Sequence, residues 1–179
     1  MKDLLQTARC HRQRGISLIE SMVATAIASV LTTAAVPSMA DALTQNRLRA
    51  GSSDLFATFN LARAEAIKRG RSVAVAPADA RDWSSGWRVF ADDNDNGVQD
   101  SGEQMILERR PITGGLTIRP YFGATYSGRV LSYTSVGRLH RPDGEGLVIG
   151  RLVLALDGAS RALCFASLGV RAVATASCE

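Results

Sequence analysis

The sequence is poor in the residues from which chemical sites are built. It holds two histidines and three cysteines in 179 positions, and His11 and His140 are too far apart in sequence for zinc-like spacing. Neither histidine has a sequence-local nucleophile or acid that would suggest a catalytic triad. No Walker-type phosphate loop is present. The sequence therefore predicts a protein that is not an enzyme and that requires no cofactor.

The body of the chain also lacks a strong charge of either sign. The net charge is +4, but residues 1–15 alone have a balance of +3, and the remainder has 17 basic and 16 acidic residues. A nearly neutral body gives little support for nucleic-acid binding by charge alone. Aromatic residues make up only 6%, yet an apolar content of 46% suits one small folded domain and argues against disorder.

Two of the three cysteines lie close together. Cys164 and Cys178 are near the C-terminus, whereas Cys10 lies in the basic tail. This arrangement favours one disulfide formed in an oxidising compartment, and two free buried thiols are the alternative. A bond across 14 positions would stabilise the fold by roughly 3 kcal/mol in the chain-entropy model.

Residues 16–40 form an apolar segment with one formal charge, Glu20. A bilayer span needs roughly 20 apolar residues, so the segment is long enough to be a transmembrane helix. A cleaved secretory signal is the alternative, since residues 38–40 resemble a cleavage site. A carboxylate inside a membrane costs about 2.5–3.5 kcal/mol, so Glu20 calls for a partner. The N-terminal amine of a neighbouring chain would neutralise it and set the register between subunits.

The residues at the start of this segment carry a family resemblance. RQRG at positions 12–15, followed by ISLIE at positions 16–20, resembles the cleavage motif of type IV prepilins and pseudopilins. The resemblance implies a leader over residues 1–15 that prepilin peptidase removes after Gly15, and methylation of the new N-terminus at Ile16. It also implies that Ile16 and Glu20 act in filament assembly. The family most often has phenylalanine where this chain has Ile16.

The same resemblance, together with the arginines of the leader, predicts the topology. The tail stays in the cytoplasm, the helix crosses the bacterial inner membrane once, and the chain after about residue 41 lies in the periplasm. Pro37 falls at the usual helix kink of the family and would bend the helix without ending it.

A second, amphipathic stretch of helix is predicted over residues 41–70. One helical face carries a stripe with spacings of three and four, and Gly70 is a plausible stop. The stripe consists of Leu48, Ser52, Leu55, Phe59, Ala62 and Ala66. It would pack on the sheet of the domain itself or, alternatively, on a partner helix.

After Gly70 the pattern changes to short β-like runs separated by turn-rich stretches such as Asp157-Gly158. The predicted strands are 72–76, 87–91, 105–110, 116–120, 130–134, 147–156, 162–166 and 171–175. We therefore expect an α+β fold, in which a long N-terminal helix packs on an antiparallel β-sheet domain spanning residues 71–179.

Two further stretches narrow the resemblance. Residues 61–70 (LARAEAIKRG) and residues 83–97 resemble the H-type pseudopilins of type II secretion and the FimT/FimU minor pilins. The resemblance extends over nearly the whole chain and is weakest in 111–160. It implies a minor subunit that helps to initiate or cap a pseudopilus or pilus, with other pilins or pseudopilins as its partners and no active site.

An acidic segment, residues 92–103, fits the twelve-residue calcium-loop pattern. The predicted ligands are Asp92, Asn94 and Asn96 through side chains, Val98 through its carbonyl, Asp100 through water, and Glu103 in bidentate fashion. Its flanks are predicted strands, however, and Asn96-Gly97 is itself a hairpin signal. The alternatives are therefore a calcium site and a solvated acidic hairpin. Trp83 and Trp87, at the mouth of this hairpin, either pack beneath it or form a contact surface.

DNA binding is the alternative function. Some FimT-type minor pilins bind DNA in natural transformation through a C-terminal motif, and the matching residues 168–173 retain only Arg171. Four other arginines would add phosphate contacts if the fold gathers them, or else are solvated surface charges. They are Arg138, Arg141, Arg151 and Arg161.

Overall fold

The structure is a computed structural model of the chain. It describes residues 15–79, 82–112, 114–123, 129–142, 148–166 and 169–178, and for residues 33–38 the backbone only. The predicted leader, apart from Gly15, lies outside the described residues, and so does the side chain of Pro37. The chain forms two compact units, one ending at Asp41 and one beginning at Ala42.

One long helix, α1 (Leu18–Arg69), precedes all of the strands. Ser17 caps its start, because its hydroxyl accepts a hydrogen bond of 3.2 Å from the backbone N–H of Glu20. Its end is a glycine cap at Gly70, whose φ is 64°, and the N–H of Arg71 bonds the carbonyl of Ala66 at 3.3 Å. The helix therefore starts and stops where local capping chemistry dictates.

The predicted apolar stripe of α1 is buried. Five of its side chains are fully buried and Ser52 is nearly so. The five are Leu48, Leu55, Phe59, Ala62 and Ala66. They belong to one core cluster with side chains from both sheets, such as Val75 and Leu163. The stripe thus packs on the sheets of its own domain, and the partner-helix alternative is wrong.

Nine strands follow the helix in the described part of the chain and form two antiparallel sheets. They are β1 (Val73–Asp79), β2 (Asp82–Ala91), β3 (Met105–Arg109), β4 (Thr117–Phe122), β5 (Leu131–Tyr133), β6 (Leu139–His140), β7 (Gly150–Leu156), β8 (Ala159–Ala166) and β9 (Gly169–Val173). The first sheet has the order β3-β2-β1-β5-β6 and the second β4-β7-β8-β9. The predicted α+β fold is confirmed.

Local sequence explains some strand boundaries better than others. The turn between β7 and β8 is Asp157-Gly158, with φ of 49° and 80°, as expected for a two-residue hairpin of primed type. Strand β2 begins five residues before its predicted start at Trp87, because Gly86, with a φ of 98°, does not interrupt the strand. Strand β6 was not predicted, because two residues are too short to show periodicity.

Both tryptophans are core residues. Trp83 is 1% exposed and Trp87 is fully buried. The indole N–H of Trp87 donates a 3.0 Å hydrogen bond to the hydroxyl of Thr58 on α1. Trp83 lies 6.1 Å from Phe59, measured between ring centroids. They therefore join the first sheet to the helix, and the alternative of a contact surface is wrong for these two residues.

Candidate functional site

The first turn of α1 and the residues just before it present Gly15, Ile16 and Glu20 to solvent. Within the described part of the chain, no atom beyond the neighbouring residues would lie within 4 Å of a side-chain carbon placed at Gly15, and Ile16 is 79% exposed. Glu20 is also exposed, in the first turn of the helix. The structure thus leaves these residues accessible, and their roles in cleavage, methylation and assembly stay predictions.

The first half of α1 carries an exposed apolar surface. It includes Leu18, Ile19, Met22, Val23, Ile27, Val30 and Leu31, and the exposed Ile16 lies just before the helix. Hydroxyls with described side chains bond the helix itself: Ser21 bonds the carbonyl of Leu18 at 2.8 Å, and Ser29 bonds that of Ala26 at 2.8 Å. Among the described residues, no helix reaches the apolar character and length of a bilayer-crossing segment.

The acidic segment forms the connection between the antiparallel neighbours β2 and β3. Asp92, at its start, is fully buried. Its carboxylate accepts the N–H of Asn96 at 2.9 Å and that of Gly97 at 2.8 Å. Burial raises the pKa of Asp92, while these two amide hydrogen bonds act to lower it. Asn96 and Gly97 therefore lie inside a hairpin loop that is longer than two residues. Gly97 adopts a φ of 73° there.

The other predicted ligands are bonded within the loop. Glu103 accepts the N–H of Asp93 at 2.8 Å and that of Asp100 at 2.9 Å. The carboxylate of Asp100 accepts the side-chain amides of Asn94 and Asn96 at 2.7 and 2.9 Å. No group of three His, Cys, Asp or Glu side chains in the described ranges is placed to hold a metal ion. The backbone amide of Val98 bonds the Asn96 side chain at 2.7 Å. Calcium binding therefore stays a prediction.

Contacts from distant residues hold this loop in place. The guanidinium of Arg71 lies 2.9 Å from the carboxylate of Asp93, and Nε2 of His140 lies 2.8 Å from both carboxylate oxygens of Asp95. Asp95 adopts a φ of 56°, which is unusual for a residue with a side chain. Sequence reasoning missed the His140–Asp95 contact, because nothing local links positions 45 apart.

The second sheet is a basic surface. Its four strands contain four arginines and no aspartate or glutamate. Register places Arg151 opposite Cys164, and Cys164 opposite Arg171, so both arginines lie on one face. Tyr121 is opposite Arg151, whose guanidinium carbon lies 5.3 Å from the centre of the tyrosine ring. Arg119, two residues before Tyr121, shares that face.

The gathered arginines are not the set proposed from sequence. Arg161 is opposite Leu154, which is buried, and therefore projects from the other face of the second sheet. Arg138 and Arg141 flank β6 in the first sheet. Sequence reasoning missed Arg119, and the period of two along β4 was the signal that would have placed it beside Tyr121.

A disulfide lies in the middle of this basic face. The predicted bond between Cys164 and Cys178 is present, with sulfur atoms 2.02 Å apart. Beside it is an open cavity of about 500 Å³. Arg151 and Arg171 line this cavity together with the disulfide and apolar residues that include Ile149.

Comparisons with known proteins agree with this architecture. The family described as Type II transport protein GspH matches residues 52–169, and the Prokaryotic N-terminal methylation motif matches residues 10–36. The search of curated proteins found no match.

Solved structures show the same fold. The type IV minor pilin FimU of Pseudomonas aeruginosa PAO1 has a TM-score of 0.54 at 19% identity, over 71% of this chain and 88% of that one. The minor pseudopilin EpsH from the Type 2 Secretion System of Vibrio cholerae has a TM-score of 0.51 at 14% identity, over 73% of this chain and 99% of that one. At these identities the likeness concerns the fold.

Proposed function

Because the chain belongs to the GspH family of pilin-like proteins, whose members assemble with other pilins or pseudopilins in filaments, we propose that it is a minor, non-catalytic filament subunit. It is made as a precursor, cleaved after Gly15 by prepilin peptidase, and methylated at Ile16. Its N-terminal helix anchors it in the bacterial inner membrane, with the β-rich unit in the periplasm, before it helps to initiate or cap a pseudopilus or type IV pilus.

The observation that carries this proposal is the first half of α1. Its exposed apolar side chains need a cover, which membrane lipid supplies before assembly and neighbouring helices supply afterwards. Four of its serine and threonine hydroxyls, those of Ser21, Thr25, Ser29 and Thr32, bond carbonyls of the helix itself, for example Thr25 to Ser21 at 2.9 Å. This lowers the penalty for burying them in an apolar environment. The exposed carboxylate of Glu20 remains as the one charge that a partner has to neutralise.

The assembly role is tested by deleting the gene and complementing it with the wild type, Glu20→Ala or Asp41→Ala. Asp41 is the matched control, an exposed carboxylate later on the same helix. We expect Glu20→Ala to fail and Asp41→Ala to complement. Loss of pili with secretion intact indicates a type IV pilus, and loss of secreted proteins with pili intact indicates type II secretion. Full complementation by Glu20→Ala in every assay refutes the assembly role of this carboxylate.

Processing is tested separately by mass spectrometry of the membrane fraction. The mature chain is expected to begin at Ile16 with a methylated amine, and Gly15→Val is expected to leave the precursor uncleaved. A mature N-terminus after Ala40 would instead support a secretory signal peptide.

DNA uptake is the second candidate function, and the basic face of the second sheet favours it. Arg119, Arg151 and Arg171 lie on one face of strands that hold no acidic residue. If all three contact phosphates, the logarithm of the binding constant falls with the logarithm of salt concentration with a slope of about −2 to −3. Binding of a DNA duplex that lacks this slope, or that survives Arg171→Ala unchanged, contradicts the candidate.

A further inference from the structure

The cavity beside the disulfide contains positive charge that the described residues leave uncompensated. Arg151 and Arg171 line it, and none of the described residues that line it is acidic. Within the described ranges, the ion pairs found involve neither of these arginines. The cavity therefore combines apolar walls with two guanidinium groups available to an anion.

The sheet register sets the spacing of these two charges. Arg151 and Arg171 are each directly opposite Cys164, on the strands at either side of β8. Neighbouring strands are about 4.8 Å apart, so the two arginine backbones are about 10 Å apart. Long side chains extending from both sides can meet over one small anion, with the disulfide beneath it.

Arg151 shows the stronger signs of a preformed site. Its Nε is buried and has no hydrogen-bond partner in the described structure. The ring of Tyr121 lies against its guanidinium and restricts the orientation of the group. A bound anion would accept hydrogen bonds from the guanidinium of Arg151. A carboxylate suits this purpose, because its two oxygens match the planar fork of arginine.

The apolar residues that line the cavity indicate which class of molecule carries the anion. Phe165 and Val170 line it, and Ile149 at its rim is 66% exposed. A nucleic acid offers phosphates to such a surface but leaves the apolar rim uncovered, whereas a protein segment offers both a carboxylate and an apolar side chain.

We infer that this cavity binds an acidic side chain of a neighbouring pilin-like subunit, with an adjacent apolar side chain of that segment against Ile149. This inference rests on the proposed function, since it names the chemistry of the partner that the filament subunit recognises. Arg151 and Arg171 bind the carboxylate from its two sides. The disulfide keeps Cys178 on β8, at the floor of the site.

The test uses the purified full chain in detergent micelles and two probes, acetyl-Leu-Glu-Leu-amide and acetyl-Leu-Gln-Leu-amide. Titration calorimetry is expected to show the glutamate peptide binding at least about tenfold more tightly than the glutamine peptide. Arg151→Gln and Arg171→Gln are each expected to weaken it about tenfold. Arg138→Gln, which removes an exposed arginine near β6, is the matched control and leaves binding unchanged.

A further variant distinguishes loss of the binding site from misfolding of the arginine variants. Ile149→Asp changes an exposed side chain, so the fold is retained, and its carboxylate competes for the arginines and abolishes peptide binding. Equal binding of the two peptides, no binding of either, or displacement of the glutamate peptide by a short DNA duplex overturns the inference. Any of these results leaves the complementation test at Glu20 unaffected, so the two proposals can fail separately.

Discussion

The hydrogen bond between Thr58 and Trp87 gives a prediction whose size follows from the structure. Thr58 is 2% exposed and Trp87 fully buried, so neither polar group can turn to water. Thr58 accepts the indole N–H at 3.0 Å and donates its own proton to the carbonyl of Asp54 at 2.8 Å. Thr58→Val keeps the shape of the side chain but leaves the indole N–H without a partner. Such a group costs about 1–3 kcal/mol.

A double-mutant cycle isolates that cost. In a Trp87→Phe background the donor is absent, so Thr58→Val there is expected to cost little. The two substitutions should therefore couple by about 1–3 kcal/mol in the free energy of unfolding. Urea unfolding of the chain in micelles, followed by circular dichroism, measures all four variants. If Thr58→Val costs the same with Trp87 as with phenylalanine, the hydrogen bond does not stabilise the fold and the reasoning is refuted.

Three further predictions concern the disulfide, a turn and the acidic loop. Replacing Cys164 and Cys178 by serine is expected to lower the free energy of unfolding by about 3 kcal/mol, and a reductant should then have no additional effect. In Gly86→Ala the new Cβ would meet the backbone of β3, so this variant should be less stable than Gly102→Ala, where φ is also positive (108°) but the surrounding space is open. Thermal unfolding of the two variants measures the difference. An equal loss of stability would exclude the steric clash as its cause. If the acidic loop binds calcium, added calcium raises the unfolding temperature of the wild type but not that of Glu103→Gln. An identical rise in both proteins would exclude Glu103 as a calcium ligand.

The helix and the positions of most strands were predictable, because both depend on local periodicity. The stripe from Leu48 to Ala66 repeats at three and four positions, and all of its apolar members are buried. Gly70 ends the helix by the local mechanism that its sequence predicts. The turn at Asp157-Gly158 is equally local, since a two-residue loop with positive φ needs these residue types.

Contacts between remote positions could not be predicted in the same way. The periodicity of β4 and β5 does not show that β4 pairs with β7 or that β5 pairs with β1. Arg119 and Arg171 share a face only because of that strand order. The contact of His140 with Asp95 likewise depends on where β6 lies in the first sheet. Pairing among strands is decided by the whole core, and a single sequence holds no local signal for it.

The position of β1 between β2 and β5 has a consequence for how the chain folds. Strand β1 pairs with β2 through a short connection, but its other edge pairs Val73 with Tyr133, 60 positions later. This pairing can form only after β2, β3 and β4 have been synthesised, whereas β8 pairs with β7 and β9, its neighbours in sequence. The buried apolar strand Val73–Asp79 thus keeps one edge unpaired until late in folding. That edge is the place where a newly synthesised chain is most open to aggregation.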